Sequence, residues 1–598
     1  MFLGTTALRE FWDPAQPMAL LGEWCVREAS DAAESRTILP CPWDDRARYY
    51  TTIAELEVVY ERTLAALGGY LNAVHGVELP IRYWRIVLGP WVQHFVHVVA
   101  DRTARLKMAE EHLPDFSTRI LNRDGWITPG TTHEFVQRST EDGYNLQLIS
   151  ELLVAQKKNP PSRAFPSVER QGSSRRQSWR RQLNELLEFI VSQGWQGVNY
   201  AYGGPAVGLY AMHCNAVDLV KFAAHLGPWA VPLTPPSSAI AALPRALTMD
   251  CRRSALAELA LGNEAGIEHI AALLPQNFPA LWLENFAAAR QLAKRALSPR
   301  LRTIVSLVGW TFDEPFKLMA AEATLSGVRV VAGQHGGCYG VARYSSSEEH
   351  ERRIADVYGT WGWASSTHPQ DLNLPSQKLS LIANRGRGGK GEGDWVFVGN
   401  DHPRYLYRFQ SSPVGGQWAQ YFDAQLDFFR ALSAATRSRF QYRRPPGADY
   451  GHRYYAQLRQ AFPEVGIDGA RKFQQRLLRC QLVVIDHNAT TILEALAADV
   501  PTISFWQDCR WELRAEAVPY FEQLRAVGIW HPTAQAAAGQ VMAVASDVAA
   551  WWQSRPVRDA RTAFCNRFAR ASSDYAEQWK LVLSRELNSS GAEAIACV

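Results

Sequence analysis

The sequence predicts an α/β protein of two halves with parallel strands, and three observations point to it. Arg302–Val308 is a β-rich run, Glu314–Leu325 carries Phe316, Met319, Ala320 and Ala323 at helical spacing, and Val328–Ala332 is strand-like again. Such a strand–helix–strand unit implies parallel strands and a right-handed crossover. A second alternation runs from Trp395 to Phe505. Between the two lies the glycine-rich stretch 384–394, which reads as a linker. It lacks the Gly-x4-Gly-Lys-Ser/Thr spacing of a phosphate loop, and no helix start follows it.

Composition narrows the class. The chain has 598 residues, 47% hydrophobic and 20% charged, which is too apolar for a mainly disordered protein. At roughly 150 residues per domain the length corresponds to about four units, or two to three larger ones. Lys+Arg 63 against Asp+Glu 59 leaves +4, without the concentrated basic excess of a nucleic-acid binder. The first ten residues lack the basic start of a signal peptide. The longest apolar stretch, Ile86–Ala100, is broken by Gln93, His94 and His97 and falls short of the ~20 residues that span a bilayer, so it reads as a buried helix. Nine scattered cysteines with no Cys-x-x-Cys suggest reduced thiols, with neither a disulfide framework nor a zinc site. A soluble cytoplasmic protein is expected.

The elements follow in order. Met1–Leu8 and Pro17–Leu21 are short apolar runs that open an α/β segment. From about Tyr49 to Leu113 the period is helical, with Ile53, Leu56, Val59, Leu64, Leu67 and Leu71 on one face. A further helix covers Tyr144–Val154. Residues 157–182 are basic, with Arg163, Arg170, Arg175, Arg176, Arg180 and Arg181. They read either as a solvated loop entering a helix or as a patch for anionic lipid or phosphate. In the second half the expected order is strand Trp395–Val398, helix Tyr421–Thr436, strand Phe440–Arg443, helix Ala470–Leu478, strand Leu482–Ile485, helix Thr491–Ala498 and strand Thr502–Phe505.

Ligands of parallel sheets bind beyond the carboxyl ends of the strands. There the sequence offers several polar turns. After Leu482–Ile485 come Asp486, His487 and Asn488, and then Thr490 or Thr491 as a helix cap. A helix start attracts phosphate through its unpaired amides, and Glu494 one turn in is within reach of a hydroxyl. The same pattern also suits an ordinary strand–cap–helix connection with a capping box. Gln334-His335-Gly336-Gly337 is a compact turn whose glycines admit a ligand and whose imidazole can exchange a proton, or whose histidine is structural. Asp313 and Glu314 open the preceding helix, placed to supply a base or nucleophile. His402 and Arg404 follow the first strand of the second half, and Arg443 and Arg444 the second; arginine there can grip phosphate. His94 and His97 have the spacing of metal ligands, yet they sit in a helix where packing explains them. Hydrolase, zincin and nicotinamide motifs are absent.

The chain resembles a large transferase family encoded in bacterial surface-carbohydrate clusters for O-antigen or capsule. The likeness is carried by Leu21-Gly-Glu-Trp-Cys25, Trp43-Asp-Asp-Arg46, Leu71-Asn-Ala-Val-His75, Tyr83–Trp91, Glu314-Pro-Phe-Lys317, Gln334–Gly340 and Trp361-Gly-Trp363. It continues through Asn488–Glu494, Pro501–Trp506 and Gly528–His531, and so covers nearly the whole chain. Glu141-Asp142-Gly143-Tyr144-Asn145 departs from the Asp-Trp-Asn-like string expected there. The C-terminal motif also resembles GT-B glycosyltransferases and CDP-glycerol glycerophosphotransferases, and His402-Pro403 resembles a motif of CMP-sialic-acid and CMP-Kdo transferases.

The resemblance implies a GT-B-like fold, two Rossmann-type domains facing a cleft. Residues 1–383 would be the acceptor domain, with a helical elaboration over about 48–155, and 395–598 the nucleotide-donor domain. It implies a glycosyltransferase that uses a nucleotide-sugar co-substrate, with a CMP-linked ulosonic acid one candidate, and a lipid-linked or oligosaccharide acceptor. No metal or other cofactor is implied. Gln334, Gly336, Gly337, His402, Arg404, Arg444, Asp486, Asn488, Thr490, Thr491 and Glu494 would hold the donor, with Glu314, Asp313 or His335 as base or nucleophile. A polyol-phosphate transferase and a non-enzymatic carbohydrate-binding or assembly factor are the alternatives. Peripheral contact with the inner face of the membrane through Arg163–Arg181 is a further expectation.

Overall fold

A parallel strand covered on both faces must be apolar along its length. The runs that meet this requirement form two six-stranded parallel sheets in the computed structural model. The structure describes residues 1–26, 36–158, 160–165, 194, 197, 201–204, 206–244, 247, 250–261, 269–386, 394–444, 450, 452, 454–470 and 472–596. Arg170, Arg175, Arg176, Arg180 and Arg181 of the basic cluster lie outside the described residues, as do positions 387–393 of the expected linker.

At the N-terminus β1 (Phe2–Gly4), β2 (Met18–Leu20) and β3 (Thr37–Ile38) form a small parallel sheet, and β4 (Ile120–Leu121) pairs with β5 (Ser162–Arg163). Between them stand two long helices, Arg46–His75 and Ile81–His112. Asp45 caps the first by accepting from the amides of Ala47 and Arg48, and Gly76 ends it at φ 61°. The second holds the apolar run around His94 and is buried almost throughout. With helices Thr132–Arg138 and Asp142–Ala155 they make up a helical layer. Among the described residues no helix is long and apolar enough to cross a membrane.

The first large sheet contains β6 (Ala206–Tyr210), β7 (Ala230–Pro232), β8 (Leu301–Ser306), β9 (Arg329–Gly333), β10 (Val357–Thr360) and β11 (Asp371–Asn373), in the order β11-β10-β9-β8-β6-β7. The second contains β12 (Trp395–Val398), β13 (Phe440–Arg443), β14 (Gly466–Ile467), β15 (Leu482–Ile485), β16 (Thr502–Phe505) and β17 (Trp530–His531), in the order β14-β13-β12-β15-β16-β17. The latter is the 3-2-1-4-5-6 order of a dinucleotide-binding sheet. The former is the flavodoxin-like order carried one strand further. Each reverses direction at a switch point, between β6 and β8 in the first and between β12 and β15 in the second.

The expected second domain needs one correction. Its last helix, Tyr575–Ala596, crosses back, and Trp579 and Leu583 pack with Val207, Val305 and Val331 of the first sheet. Apolar contact is non-directional, so a terminal helix joins whichever sheet face is left uncovered. The tryptophans of the family-like motifs, Trp24, Trp43, Trp84, Trp91, Trp361, Trp363 and Trp506, are all at most 4% exposed, which makes them core residues.

Candidate functional site

The carboxyl edges of the two sheets meet. After β9 the chain turns through Gln334–Gly340, and after β15 it turns through Asp486–Ala489 into the Thr490–Ala497 helix. The Gly337 N–H donates to Thr490 Oγ1 at 3.0 Å. A β-carbon on Gly337 would lie 2.2 Å from the carbonyl carbon of Ala489, so only glycine permits this approach. Gly336 faces open space, its nearest neighbour being Tyr339 at 3.9 Å. The expected cap is shifted by one residue: extended Ala489 occupies the N-cap position, and no side chain caps the helix. Thr490 is the first helical residue, and its hydroxyl accepts from Gly337.

At the first switch point the Tyr210 hydroxyl donates to Asp313, and the Tyr210 ring stacks on Phe316 at 4.4 Å. Asp313 also caps the Glu314–Thr324 helix by accepting from the Phe316 amide at 3.0 Å, and it remains partly exposed. Glu314 is different. It is 3% exposed, paired with Lys317 at 2.7 Å, and accepts from the Thr132 amide at 2.5 Å. That carboxylate belongs to a core ion pair, which corrects its expected placement at the cleft.

His335 keeps a quarter of its side chain exposed, with Nδ1 3.4 Å from Glu351 Oε1 and Nε2 3.4 Å from the Tyr339 hydroxyl. Burial pushes its imidazole down to about 4, and the charges of Arg408 and Lys378 add to the effect, so the ring is neutral near pH 7. Burial lifts the Glu351 carboxyl well above the usual carboxylate range. Gln334 is consumed within its own turn. Its Nε2 donates to Gly336 O at 2.9 Å, while Oε1 accepts from the Trp361 amide at 3.0 Å and Trp363 Nε1 at 2.8 Å. It shapes the turn.

At the second switch point His402 stacks on Trp418 with centroids 4.3 Å apart, and burial followed by Arg408 and His487 pushes it down to about 3. Asp486 accepts from the Tyr421 hydroxyl at 2.8 Å, Gln425 Nε2 at 2.6 Å and His487 Nδ1 at 2.8 Å, so it organises its neighbours. Asn488 is 3% exposed, and its Oδ1 has no hydrogen-bond partner among the described residues. Beside Asp486 a concavity of about 310 Å³ is lined by Tyr421, Phe505, Trp506, Arg510 and Trp511.

Three expected ligand contacts are otherwise engaged. Arg404 is buried, binds Asp142 at 2.6 Å and donates to Tyr450 O at 2.9 Å and to Trp24 O. It therefore clamps the second half onto the helical layer. Asp142 belongs to the segment that departs from the family pattern, and its other oxygen accepts from the Tyr405 hydroxyl at 2.6 Å. Arg444 donates to Asp401 at 3.1 Å and covers Tyr455. Glu494 pairs with Lys378 at 2.6 Å, linking the Gln377–Arg385 helix to the Thr490–Ala497 helix.

Sequence reasoning missed His213 and Lys378. His213 follows β6 with φ 57°, next but one to Ala211 at φ 45°. Two non-glycine residues in that region store strain, and such strain gathers at functional sites. The His213 ring centroid is 6.3 Å from that of His335, and its Nε2 is 3.4 Å from Lys378 Nζ. Neither glycine nor asparagine marks this bend, so the sequence carried no signal for it. His94 and His97 pack inside their helix. The former's Nδ1 lies 2.7 Å from Pro90 O, and the latter's Nδ1 accepts from the Phe409 amide at 3.1 Å. Among the described residues no group of His, Cys, Asp or Glu is arranged to hold a metal ion.

A family model described as LIC12162 family transferase matches residues 1–583. No curated protein matches the chain. Among solved structures, the wall teichoic acid polymerase TagF is 9% identical over 52% of this chain and 77% of its own, with a TM-score of 0.29. MurG of Acinetobacter baumannii is 9% identical over 64% of this chain and 99% of its own, with a TM-score of 0.33.

Proposed function

Since the chain belongs to the LIC12162 transferase family, we propose that it moves a sugar from a nucleotide-activated donor to a bacterial surface glycan such as O-antigen or capsule. One observation carries this reading: the Gln334–Gly340 turn and the uncapped start of the Thr490–Ala497 helix lie against each other at the carboxyl edges of two parallel sheets. A donor there would set its phosphates on the free amides of Thr490 and Thr491, beside Asn488 and His402. Fixed amides and a helix dipole stabilise a leaving phosphate without reorganising as charge develops.

The acceptor hydroxyl would approach from the first sheet, with Asp313 or His335 taking its proton. Asp313 is the better-placed carboxylate of its pair because it stays partly exposed, whereas Glu314 is sealed in the core. His335 is neutral near pH 7 and so is able to accept a proton. A lipid-linked or oligosaccharide acceptor fits this reading, with the Arg163–Arg181 segment meeting anionic lipid.

The test is a melting-temperature screen with CMP, CDP, UDP and GDP, since a ligand of the native state raises its apparent stability. Failure of all four to stabilise the protein would remove the nucleotide-donor reading. Mass spectrometry of the product separates glycosyl from polyol-phosphate transfer by the mass added. An absence of any turnover of a stabilising donor, with surface glycan unchanged in His335→Ala cells, would leave the non-enzymatic alternative.

A further inference from the structure

The loop after β12 carries a cation that neither the motifs nor the family description singles out. It is pinned on both sides. Arg404 and Tyr405 are held by Asp142, the Phe409 amide by His97, and the Gln410 amide by the Tyr49 hydroxyl. Between these anchors Arg408 is held against the Gln334–Gly340 turn. One of its guanidinium nitrogens, Nη1, donates to Ser347 Oγ at 2.7 Å, and the group lies 5.2 Å from the centroid of the Tyr407 ring. Among the described residues its buried Nε has no hydrogen-bond partner, and no carboxylate lies within ion-pair distance.

Among the described residues no carboxylate pairs with it, although its charge is felt by the Glu351 carboxyl. Arg408 acts electrostatically on His94, His97, His335 and His402, and burial holds all four imidazoles neutral near pH 7. Burial likewise lifts the Glu351 carboxyl toward its neutral form. Glu348, which shares the Ser346–Ile354 helix with Glu351, is taken up by Arg352 at 3.3 Å and Arg514 at 3.0 Å. A largely desolvated guanidinium without an anion is costly, and buried charges are as a rule paired.

We propose that Arg408 is the cation that receives a phosphate group in the cleft between the Gln334–Gly340 turn and the second sheet. On the functional reading above, which this inference deepens, that phosphate belongs to the donor nucleotide. The planar guanidinium has Nε free for a bidentate grip, a geometry that lysine does not reproduce. The role expected of Arg404 and Arg444 thus falls to a residue four positions beyond the former.

The experiment compares wild type, Arg408→Gln, Arg408→Lys and Arg444→Gln by calorimetric titration with CMP, CDP, UDP and GDP and, separately, with inorganic pyrophosphate, alongside unliganded melting temperatures. Arg408→Gln should weaken binding at least tenfold, Arg408→Lys by less, and Arg444→Gln by under threefold. Because the charge is unpaired, unliganded Arg408→Gln should melt at or above the wild-type temperature. Binding within twofold of wild type overturns the proposal, and so does a lower unliganded melting temperature, which would make Arg408 structural. If pyrophosphate binds through Arg408 and no nucleotide does, the site stands with a lipid-linked pyrophosphate as its source, and the nucleotide-donor reading falls. If neither binds wild type, both fall.

Discussion

The amide of Gly337 and the hydroxyl of Thr490 are joined by a hydrogen bond of 3.0 Å that ties the turn after β9 to the helix after β15. These residues are 153 positions apart in sequence. Their contact brings the carboxyl edges of the two sheets together, and the cleft follows from it.

Gly337→Ala should disrupt this junction. The new methyl would lie 2.2–2.4 Å from the backbone of Ala489 and Thr490, which cannot yield as a flexible side chain would. A loss of about 1–3 kcal/mol is expected from such overpacking, together with loss of transfer activity. Gly336→Ala meets only Tyr339 at 3.9 Å and should fold normally. Urea unfolding of the two variants checks this, and equal stabilities would contradict the close approach.

Arg404 and Asp142 are 6% and 3% exposed and 2.6 Å apart. Removing one partner strands the other, at a cost of about 3–5 kcal/mol for a buried pair. Arg404→Gln should therefore lower the melting temperature while leaving the nucleotide affinity of the folded fraction unchanged. A selective loss of affinity at wild-type stability would restore Arg404 to the donor site.

Asp313 and Glu314 are neighbours with opposite expectations. Asp313→Asn keeps the cap on the Phe316 amide and should lower kcat at least tenfold with little change in melting temperature. Glu314→Gln breaks the buried pair with Lys317 and should lower stability instead. Turnover and melting temperature measured on both variants decide the assignment.

Four histidines set an acid limit. His94, His213 and His402 are pushed down to about 3 and His335 to about 4, each chiefly by burial, from an ordinary 6.5. The unfolded chain therefore binds more protons than the native one below pH 6.5. Their contribution to stability is complete above that pH and is lost as pH falls toward 4 and 3, at up to about 1.4 kcal/mol per pH unit for each histidine. Unfolding free energies from pH 7 to pH 4.5 should fall steeply, and His213→Gln should flatten the slope. A slope unchanged in the variant would show that His213 takes up its proton as readily in the folded protein as in the unfolded chain.

Much of the fold was legible because short Val, Ile and Phe runs bounded by turns suit few structures besides parallel strands. Strands Trp395–Val398, Phe440–Arg443, Leu482–Ile485 and Thr502–Phe505 lie where the pattern placed them. Strand β6 did not declare itself, because Ala-Val-Gly-Leu-Tyr has only moderate β preference and carries an interior glycine. Site residues were legible in type more than in use. Asp486, Asn488 and Thr490 lie at the sheet edge as expected, yet Arg404, Glu314 and Glu494 proved to be ion-pair partners of Asp142, Lys317 and Lys378.

The sequence by itself determined the alternation of strands and helices, the glycine at 337 and the polar turns that follow the strands, because these depend on local periodicity and backbone freedom. Tertiary structure alone decided which charges are neutralised. Ion pairing depends on distances between residues far apart in the chain, and local sequence does not encode those distances. Arg404 and Arg408 belong to one loop and are the same residue type, and packing gives Asp142 to the former and no carboxylate among the described residues to the latter.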